Sequence, residues 1–376
     1  MAEYKFQSKS HESSYDRKVR ELEDELSNTK YNKRTQHHVG LVKAKLAKIK
    51  EDYQKKAGSK GKGEGFSVKR SGDATAIMIG FPSVGKSTLL NAITNANSAV
   101  GAYAFTTLTC IPGLLEHNHS KIQILDVPGI VEGASIGRGR GREVLACAQS
   151  ADMVIMLLDV FHPEHIDVIR QEIYGTGLRI NQKPPQVKIS RRIRGGIDIG
   201  LTVKLTHIEQ DTIRGILKEF RLDNCSIVIR EDITDDQLID AIEGNKKYVP
   251  GIIVLNKIDM VEPQELENIK NAVNPDICVS AEEKLNTEEL KNLIFKRLNF
   301  IRIYCKEAGK KADTQIPLIM RNENTLRDVC LKLHKDFVSK FKFARIWGKS
   351  VKFPGMILRR LEHEIQDKDV IEIHLK

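Results

Sequence analysis

The stretch Gly80-Phe81-Pro82-Ser83-Val84-Gly85-Lys86-Ser87 decides the fold of this chain. It fits the pattern G-x-x-x-x-G-K-[ST], a loop whose backbone N–H groups surround the phosphates of a nucleoside triphosphate. The apolar run from Ala74 to Ile79 before it predicts a buried strand, and the segment from Thr88 to Ile93 after it predicts a helix. A strand, a phosphate loop and a helix in this order predict a nucleotide-binding α/β domain.

The loop motif assigns a role to each of its polar side chains. We expect the ammonium group of Lys86 to reach the β- and γ-phosphates and the hydroxyl of Ser87 to bind Mg²⁺. The helix that includes Thr88 directs the partial positive charge of its N-terminus toward the same phosphates. An ordinary glycine turn before a helix is the alternative interpretation, and the flanking strand and helix favour the phosphate loop.

Composition limits the class of protein. The 376 residues carry a formal net charge of +10, which favours polyanionic partners, and the length predicts roughly two to four domains. The six cysteines are scattered singly, which predicts free thiols in a reducing compartment rather than a disulfide framework or zinc site. A polar N-terminus and the lack of a membrane-length apolar run predict a cytoplasmic protein with no membrane partner.

Residues 1–65 predict a helical arm that ends in a glycine- and lysine-rich linker, with one helix around Leu22 and Leu26. A second helix carries an apolar stripe formed by Val39, Val42, Leu46, Ile49 and Tyr53. Its other faces carry Lys43, Lys45, Lys48, Lys50, Lys55 and Lys56. This arm is either a solvated pair of helices packed by one edge on the body, or a surface that binds RNA or a partner protein.

From residue 73 onward, apolar strands alternate with helices, which predicts a doubly wound parallel sheet. Polar motifs follow two of these strands: Asp126-Val127-Pro128-Gly129 follows Lys121 to Leu125, and Asn256-Lys257-Ile258-Asp259 follows Ile252 to Leu255. Another buried strand runs from Met153 to Leu158. Ligands of such sheets bind at the carboxyl ends of the strands, so we expect the motifs to meet there.

These motifs predict the remaining contacts to Mg²⁺ and to phosphate. Asp126 is expected to hold Mg²⁺ through water, and the N–H of Gly129 to contact the γ-phosphate. The hydroxyl of Thr107 is expected to close over the same ion.

Asp259 predicts selection of guanine, because its carboxylate accepts hydrogen bonds from N1–H and the 2-amino group, which adenine lacks. This carboxylate argues against an ATPase that uses the same loop. Asn256 is expected to hold the base edge and the Lys257 stem to cover its face, while Ser280-Ala281 places a backbone N–H at the guanine oxygen.

About seventy residues separate Gly177 from the strand at 252, so residues 178–245 are expected to form an inserted α/β module between two parts of a G domain, 73–177 and 246–298. Strands are predicted at Leu201 to Leu205 and Cys225 to Ile229. The basic turn Arg191 to Gly196 either contacts phosphate or is a solvated loop tip. Residues 299–376 predict a small mixed sheet around one helix, with Trp347 in its core.

With these motifs identified, the whole chain resembles the developmentally regulated GTP-binding proteins, within the Obg group of translation-associated GTPases. The matching motifs, besides the phosphate loop and Asn256 to Asp259, are Phe105 to Thr109, Asp126 to Ala134, His37 to Lys48 and Val351 to Pro354. The resemblance implies a helix-turn-helix arm, a P-loop GTPase domain with a ribosomal-protein-like insert, and a C-terminal TGS domain of β-grasp fold. It also implies ribosome association and a regulatory partner protein, with no DNA partner expected.

Three positions depart from patterns found in similar GTPases. Ile130 stands where many carry a glutamine that orients water, and Ser83 stands where potassium-dependent relatives often carry an asparagine. The stretch Met356 to Leu361 is more apolar and basic than the corresponding stretch usually is in the family.

The motifs lead to two hypotheses about function. The first is Mg²⁺-dependent GTP hydrolysis, slow and stimulated by K⁺, that switches ribosome binding. The second is an adaptor that holds GTP or GDP with negligible hydrolysis.

Overall fold

The computed structural model describes residues 14–30, 32, 34–59, 72–94, 111–126, 150–307, 309–310 and 315–376. The chain divides into two compact units. We call residues 1–65 and 183–246 the insert unit, and residues 66–182 and 247–376 the core unit. Within the described ranges no helix has the length and apolar character needed to cross a membrane.

The strands, in chain order, are β1 (Ala74–Ile79), β2 (Ile111–His117), β3 (Ser120–Asp126), β4 (Met153–Asp159), β5 (Leu178–Ile180), β6 (Val187–Arg191), β7 (Ile197–Leu201), β8 (Cys225–Ile229), β9 (Lys247–Val249), β10 (Gly251–Asn256), β11 (Ile277–Cys278), β12 (Phe300–Cys305), β13 (Leu318–Arg321), β14 (Phe341–Trp347), β15 (Met356–Leu358) and β16 (Val370–Leu375).

The helices are α1 (Ser14–Asn28), α2 (Gln36–Ser59), α3 (Lys86–Ile93), α4 (His165–Gly175), α5 (Gln210–Glu219), α6 (Asp235–Glu243), α7 (Pro263–Val273), α8 (Thr287–Arg297), α9 (Leu326–Leu333) and α10 (Phe337–Lys340), with a 3₁₀ turn at Ile258–Met260.

The core unit is built on a six-stranded sheet in the order β11-β10-β4-β1-β3-β2. Its neighbouring strands are parallel except β2, which runs antiparallel to β3 at one edge. One face packs on α4 and α7 and the other on α3 and α8, which buries β1 and β4 along their whole length. The doubly wound sheet predicted from the unbroken apolar runs is confirmed.

The C-terminal part of the core unit is a five-stranded sheet, β13-β12-β16-β14-β15, with α9 packed on it. Thr325 caps α9 in a capping box with Asp328. Phe300 and Ile319 of this sheet are buried in the same cluster as Ile294 of α8. An ion pair of 2.8 Å also joins Arg321 of β13 to Asp152, beside the start of β4. The two sheets of the core unit therefore share apolar and ionic contacts.

In the insert unit, α2 packs closely on α5. A Cβ added to Gly40 would lie 2.8 Å from Thr212 Cγ2, and one added to Gly215 would lie 2.8 Å from Leu41 Cδ2. Glycine at both positions lets the two helices approach closely. Three lysines of α2 are used in ion pairs inside this unit: Lys43 with Asp235 and Asp236, Lys48 with Glu219, and Lys50 with Glu23. The described part of the arm thus packs by one edge on the insert.

The prediction of a strand from Leu201 to Leu205 is wrong. The sheet of the insert unit has the order β6-β8-β7, and Leu201 pairs with Ile229, the last residue of β8. The N–H of Thr202 still donates to the carbonyl oxygen of Ile229 at 3.1 Å, and beyond it residues 203–205 pair with no strand of the described structure, although their apolar alternation continues. Trp347, predicted as core, is only partly buried, and the Lys306 ammonium lies 4.2 Å from its ring centroid.

Candidate nucleotide-binding site

The phosphate loop lies between β1 and α3, where the sequence predicts it. Its curvature depends on glycine: a Cβ on Gly80 would lie 2.5 Å from the backbone oxygen of Leu157, and one on Gly85 would lie 2.4 Å from Asn256 Nδ2. Gly85 also has a φ of +92°, and Ser83 is left-handed with a φ of 65°. Left-handed residues turn successive N–H groups toward one concave side, which is the geometry of an anion-binding loop.

Lys86 folds back over this loop. Its Nζ donates to the carbonyl oxygens of Gly80 at 3.0 Å and Phe81 at 2.9 Å. Burial lowers the pKa of Lys86, and the negative charge of Asp126 only partly opposes this effect. A half-buried ammonium held by neutral carbonyls is an electrostatically favourable place for an anion.

Ser87 and Asp126 meet at the same end of the sheet. The Ser87 hydroxyl donates to Asp126 Oδ2 at 3.3 Å. Asp126 is buried at the end of β3, and its Oδ1 has no hydrogen-bond partner in the part of the chain that the structure describes. A hydroxyl beside a buried carboxylate with a free oxygen is a set of hard oxygen donors that suits Mg²⁺ and its bound water. The two residues fit the ion that the sequence predicts here.

Asn256 links two loops of the site. Its Nδ2 donates to the carbonyl oxygen of Val84 at 2.9 Å, and its Oδ1 accepts from the N–H of Ala281 at 3.0 Å. The side chain is 1% exposed, so this bridge is shielded from water. The N–H of Ser280 donates to the carbonyl oxygen of Leu285 at 3.2 Å. The sequence predicts that one of these two N–H groups contacts the guanine oxygen, and in the structure each already has an acceptor within the protein, which a bound base would have to share.

The polar residues after β10 take different positions. Lys257 is left-handed, with a φ of 64°, and its Nζ lies 3.4 Å from Asp159 Oδ2. Asp259 lies in the 3₁₀ turn with an exposed side chain. Asp159, at the end of β4, was not predicted as a site residue. A carboxylate directly after the unbroken apolar run of β4 was the signal that could have identified it.

The structure brings most of the predicted site residues to one edge of the main sheet. These residues are Gly80, Phe81, Pro82, Ser83, Val84, Gly85, Lys86, Ser87, Thr88, Asp126, Asn256, Lys257, Asp259, Ser280 and Ala281. The predicted residues Thr107, Val127, Pro128, Gly129 and Ile130 lie outside the described residues.

The basic turn of the insert unit differs from the phosphate loop. It wraps the start of β8, with the N–H of Arg192 donating to the Asn224 carbonyl at 2.9 Å and the N–H of Gly196 to Asn224 Oδ1 at 2.9 Å. Between these anchors Ile193 is 98% exposed, and nothing lies within 4 Å of a Cβ added to Gly195 or Gly196. Among the described residues, the tip of this turn is therefore exposed and open.

Comparison with known protein families gives three consecutive matches. The model of a 50S ribosome-binding GTPase matches residues 75–191, the model of the C-terminal region of that domain matches 194–300, and the TGS domain matches 301–375. Together with the loop between β1 and α3, these matches define the class: a P-loop GTPase domain followed by a TGS domain.

Relatives along almost the whole chain narrow this class to one family. A GTP-binding protein of Methanocaldococcus jannaschii is 50% identical over 362 residues, which cover 95% of this chain and 92% of the relative. The developmentally regulated G-protein 3 of Arabidopsis thaliana is 43% identical (95% and 97% covered), and the developmentally regulated GTP-binding protein 1 of Xenopus laevis is 41% identical (95% and 98%). The chain belongs to the family of developmentally regulated GTP-binding proteins, as its motifs predicted.

Proposed function

We propose that this GTP-binding protein hydrolyses GTP to GDP and phosphate with Mg²⁺, as a slow molecular switch acting on ribosomes. The pairing of Ser87 with Asp126 carries the proposal. A buried carboxylate oxygen without a donor is costly, and the Asp126 Oδ1 has none among the described residues. Water bound to Mg²⁺ on Ser87 would supply that donor. Thr107 is proposed as a further ligand of the ion.

Lys86 supplies the positive charge of the proposed reaction. When GTP binds, its ammonium would exchange the carbonyl oxygens of Gly80 and Phe81 for β- and γ-phosphate oxygens. Those anions would offset the burial that lowers the pKa of Lys86. The lysine stabilises the charge that develops as the γ-phosphate leaves, and the N–H of Gly129 is proposed to contact the same phosphate.

Base selection is assigned to Asp259. Asn256 already holds Val84 and Ala281 with both ends of its amide, so its role is to fix the base-binding loop relative to the phosphate loop. The stem of Lys257 is proposed to cover the face of the base, with its ammonium near Asp159. The exposed carboxylate of Asp259 accepts from two guanine donors that adenine lacks.

Potassium is proposed to supply charge where side chains do not. The side chain of Ile130 cannot hydrogen-bond to a water molecule, so it cannot orient the attacking water as a glutamine side chain would. A cation near the phosphates stabilises the transition state most when it is positioned in advance. Ser83, exposed and left-handed in the phosphate loop, takes the position from which relatives help to hold this ion.

The ribosomal role is supported by the matched family, described as ribosome-binding, and by the TGS domain. The net charge of +10 favours ribosomal RNA as the surface contacted. We propose that residues 73–177 and 246–298 bind nucleotide, while the arm (1–65), the module 178–245 and the TGS domain (299–376) serve the ribosome and a regulatory partner protein.

Phosphate release from GTP in potassium and in sodium buffers tests this function. We expect the turnover rate in potassium to be well above the rate in sodium, with a much smaller change in GTP affinity. Ile130→Ala should keep its turnover, because no hydrogen bond of the reaction is assigned to Ile130. Equal rates in the two salts would remove potassium from the mechanism. GTP binding without any release of phosphate would favour the second candidate, an adaptor that only holds nucleotide, which the missing glutamine also favours.

A further inference from the structure

The turn between β4 and α4 carries a cluster of ligating side chains that the nucleotide site does not use. In the described part of the chain, His162, Glu164 and His165 form the one group of three such residues whose ligand atoms all lie within 4.8 Å of one another. We propose that this group, the 162–165 cluster, binds a divalent metal ion of the Zn²⁺ class. The cysteine pattern gave no sign of it, because its ligands are imidazoles and a carboxylate.

The backbone holds the cluster in one tight turn. The N–H of His162 donates to Asp159 Oδ1 at 3.1 Å, and the N–H of His165 donates to the carbonyl oxygen of His162 at 3.2 Å. Pro163, between them, has a fixed φ. The turn is therefore ordered before an ion arrives, which lowers the entropic cost of binding.

The side chains already lie close together. The rings of His162 and His165 stack with centroids 4.9 Å apart, and the Nδ1 of His162 lies 3.2 Å from Glu164 Oε1. On its other face His165 stacks on Phe81, with ring centroids 3.9 Å apart and planes at 18°. An imidazole nitrogen binds a metal ion in the plane of its ring, so the two stacked rings must turn when they share one ion, and the stack of His165 on Phe81 changes with them.

The donor set selects the class of ion. Imidazole nitrogens suit Zn²⁺ and its neighbours in the first transition row, whereas Mg²⁺ and Ca²⁺ prefer oxygen ligands alone. Three protein ligands leave a position for water, and the side chains of His162 and Glu164 are 57% and 66% exposed. The site is open and able to exchange its ion.

Phe81 connects the cluster to the phosphate loop. Its ring stacks on His165, while its carbonyl oxygen accepts from Lys86 Nζ at 2.9 Å. An ion that fixes the ring of His165 therefore also favours one position of Phe81. By linkage, Zn²⁺ and nucleotide then change each other's affinity by the same factor. This second step rests on the nucleotide site proposed above, whereas metal binding itself does not.

Calorimetric titration of Zn²⁺ into the nucleotide-free full chain, in excess Mg²⁺, tests the cluster. The decisive variant is His162→Ala, and the matched control is His334→Ala, which removes another exposed histidine whose Nδ1 lies 4.0 Å from the carboxylate of Asp336. We expect one saturable site in the wild type and in the control, and an affinity at least about tenfold weaker in His162→Ala. Glu164→Gln, which keeps the shape of the side chain, should also weaken binding.

Circular dichroism of each variant shows whether weaker Zn²⁺ binding comes from the missing ligating side chain or from unfolding of the protein. An unchanged Zn²⁺ affinity in folded His162→Ala, an equal loss in His334→Ala, or no saturable binding by the wild type would overturn the site. The affinity for fluorescent GDP, with and without Zn²⁺, tests the connection through Phe81. An equal GDP affinity in both would overturn the connection and leave the metal site standing. A chain that binds Zn²⁺ through His162 but binds no GDP would refute the proposed function instead.

Discussion

Two half-buried lysines, one in each unit, have opposite electrostatic surroundings. In the insert unit, burial opposes the charge of Lys43, but Asp236 and Asp235 more than compensate and raise its pKa. Its Nζ lies 2.7 Å from Asp236 Oδ2 and 3.1 Å from Asp235 Oδ2. In the core unit, burial lowers the pKa of Lys86, whose nearest acceptors are neutral carbonyl oxygens.

This difference indicates that the charge of Lys43 stabilises the fold, whereas the charge of Lys86 is available to bind a ligand. Lys43 has its counter-charges inside the protein, so its contribution is to hold α2 on α6. The positive charge of Lys86 is compensated only partly by the loop, and a bound anion would neutralise the remainder. Both lysines lie in helices within three residues after a glycine, Gly40 or Gly85, and sequence spacing alone does not distinguish them. The carboxylates of Asp235 and Asp236, which neutralise the charge of Lys43, lie almost two hundred residues away in the chain.

Lys86→Ala gives the largest effect expected from this comparison. It removes the ammonium that compensates the transferred phosphate, so turnover should fall by roughly a hundredfold or more. The fold should tolerate the change, since no carboxylate is paired with Lys86 by an ion pair in the described structure. Phosphate release at saturating GTP measures the loss, and Lys43→Ala is the control that should keep its turnover per folded molecule. Equal turnover in Lys86→Ala and wild type would disprove the role of this lysine.

Asp259→Asn extends the comparison to carboxylates. Asp235 is buried beside Lys43, whereas Asp259 is exposed and proposed to meet guanine. An amide at 259 presents a donor to the donors of guanine, which should cost several kcal/mol, or about a hundredfold or more in GTP affinity. Xanthine nucleotides, whose 2-oxygen accepts that donor, should be favoured. Competition between GTP and XTP measures the change, with Glu262→Gln as an exposed control; a variant that still prefers GTP would show that Asp259 does not select the base.

The sequence predicted the parts of this molecule that depend on local pattern. The strands of the main sheet follow from unbroken apolar runs, and the turn between β1 and α3 follows from the phosphate-loop motif of residues 80–87. Both are decided by neighbours along the chain. The strand expected at Leu201 to Leu205 failed because its length is limited by a partner, β8, which ends at Ile229. Sequence alternation does not report where the neighbouring strand stops.

Within the site, the motifs predicted which residues gather but not every contact they make. Asn256 was expected at the base edge, yet its amide spans two loops, because Val84 and Ala281 come within reach only after folding. The stack of Phe81 on His165 joins the loop after β1 to the first residue of α4, so no motif contains it. Contacts of this kind depend on tertiary packing, which a single sequence does not encode as a local signal.

Lys43→Ala should mainly cost stability. Removing the ammonium leaves the buried carboxylate of Asp235 without its counter-charge, which we expect to destabilise the insert unit by about 2 kcal/mol. Because the folded pKa of Lys43 lies above its ordinary value of 10.5, this stabilisation is fully present at neutral pH. This stabilisation is lost only as the pH rises through the raised pKa of Lys43.

Hydrogen exchange of the α2 and α6 amides measures the effect of Lys43→Ala. The control is Lys45→Ala, which changes an exposed lysine on the same helix. Equal protection in Lys43→Ala and Lys45→Ala would show that the ion pair contributes no net stability.

Arg194→Ala should give the smallest effect, confined to the salt dependence of ribosome binding. Arg194 is exposed in the basic turn and has no ion-pair partner among the described residues, so its charge is available to contact a phosphate. The charge of Arg192 is not, because its guanidinium lies 3.2 Å from the carboxylate of Asp198. Losing one phosphate contact lowers the slope of log affinity against log salt by about one. Co-sedimentation with ribosomes at several potassium chloride concentrations measures that slope, and Arg214→Ala, whose charge is paired with Asp211, is the control. If Arg194→Ala and Arg214→Ala both keep the wild-type slope, the turn is a solvated loop tip, and the ribosome is contacted elsewhere on the chain.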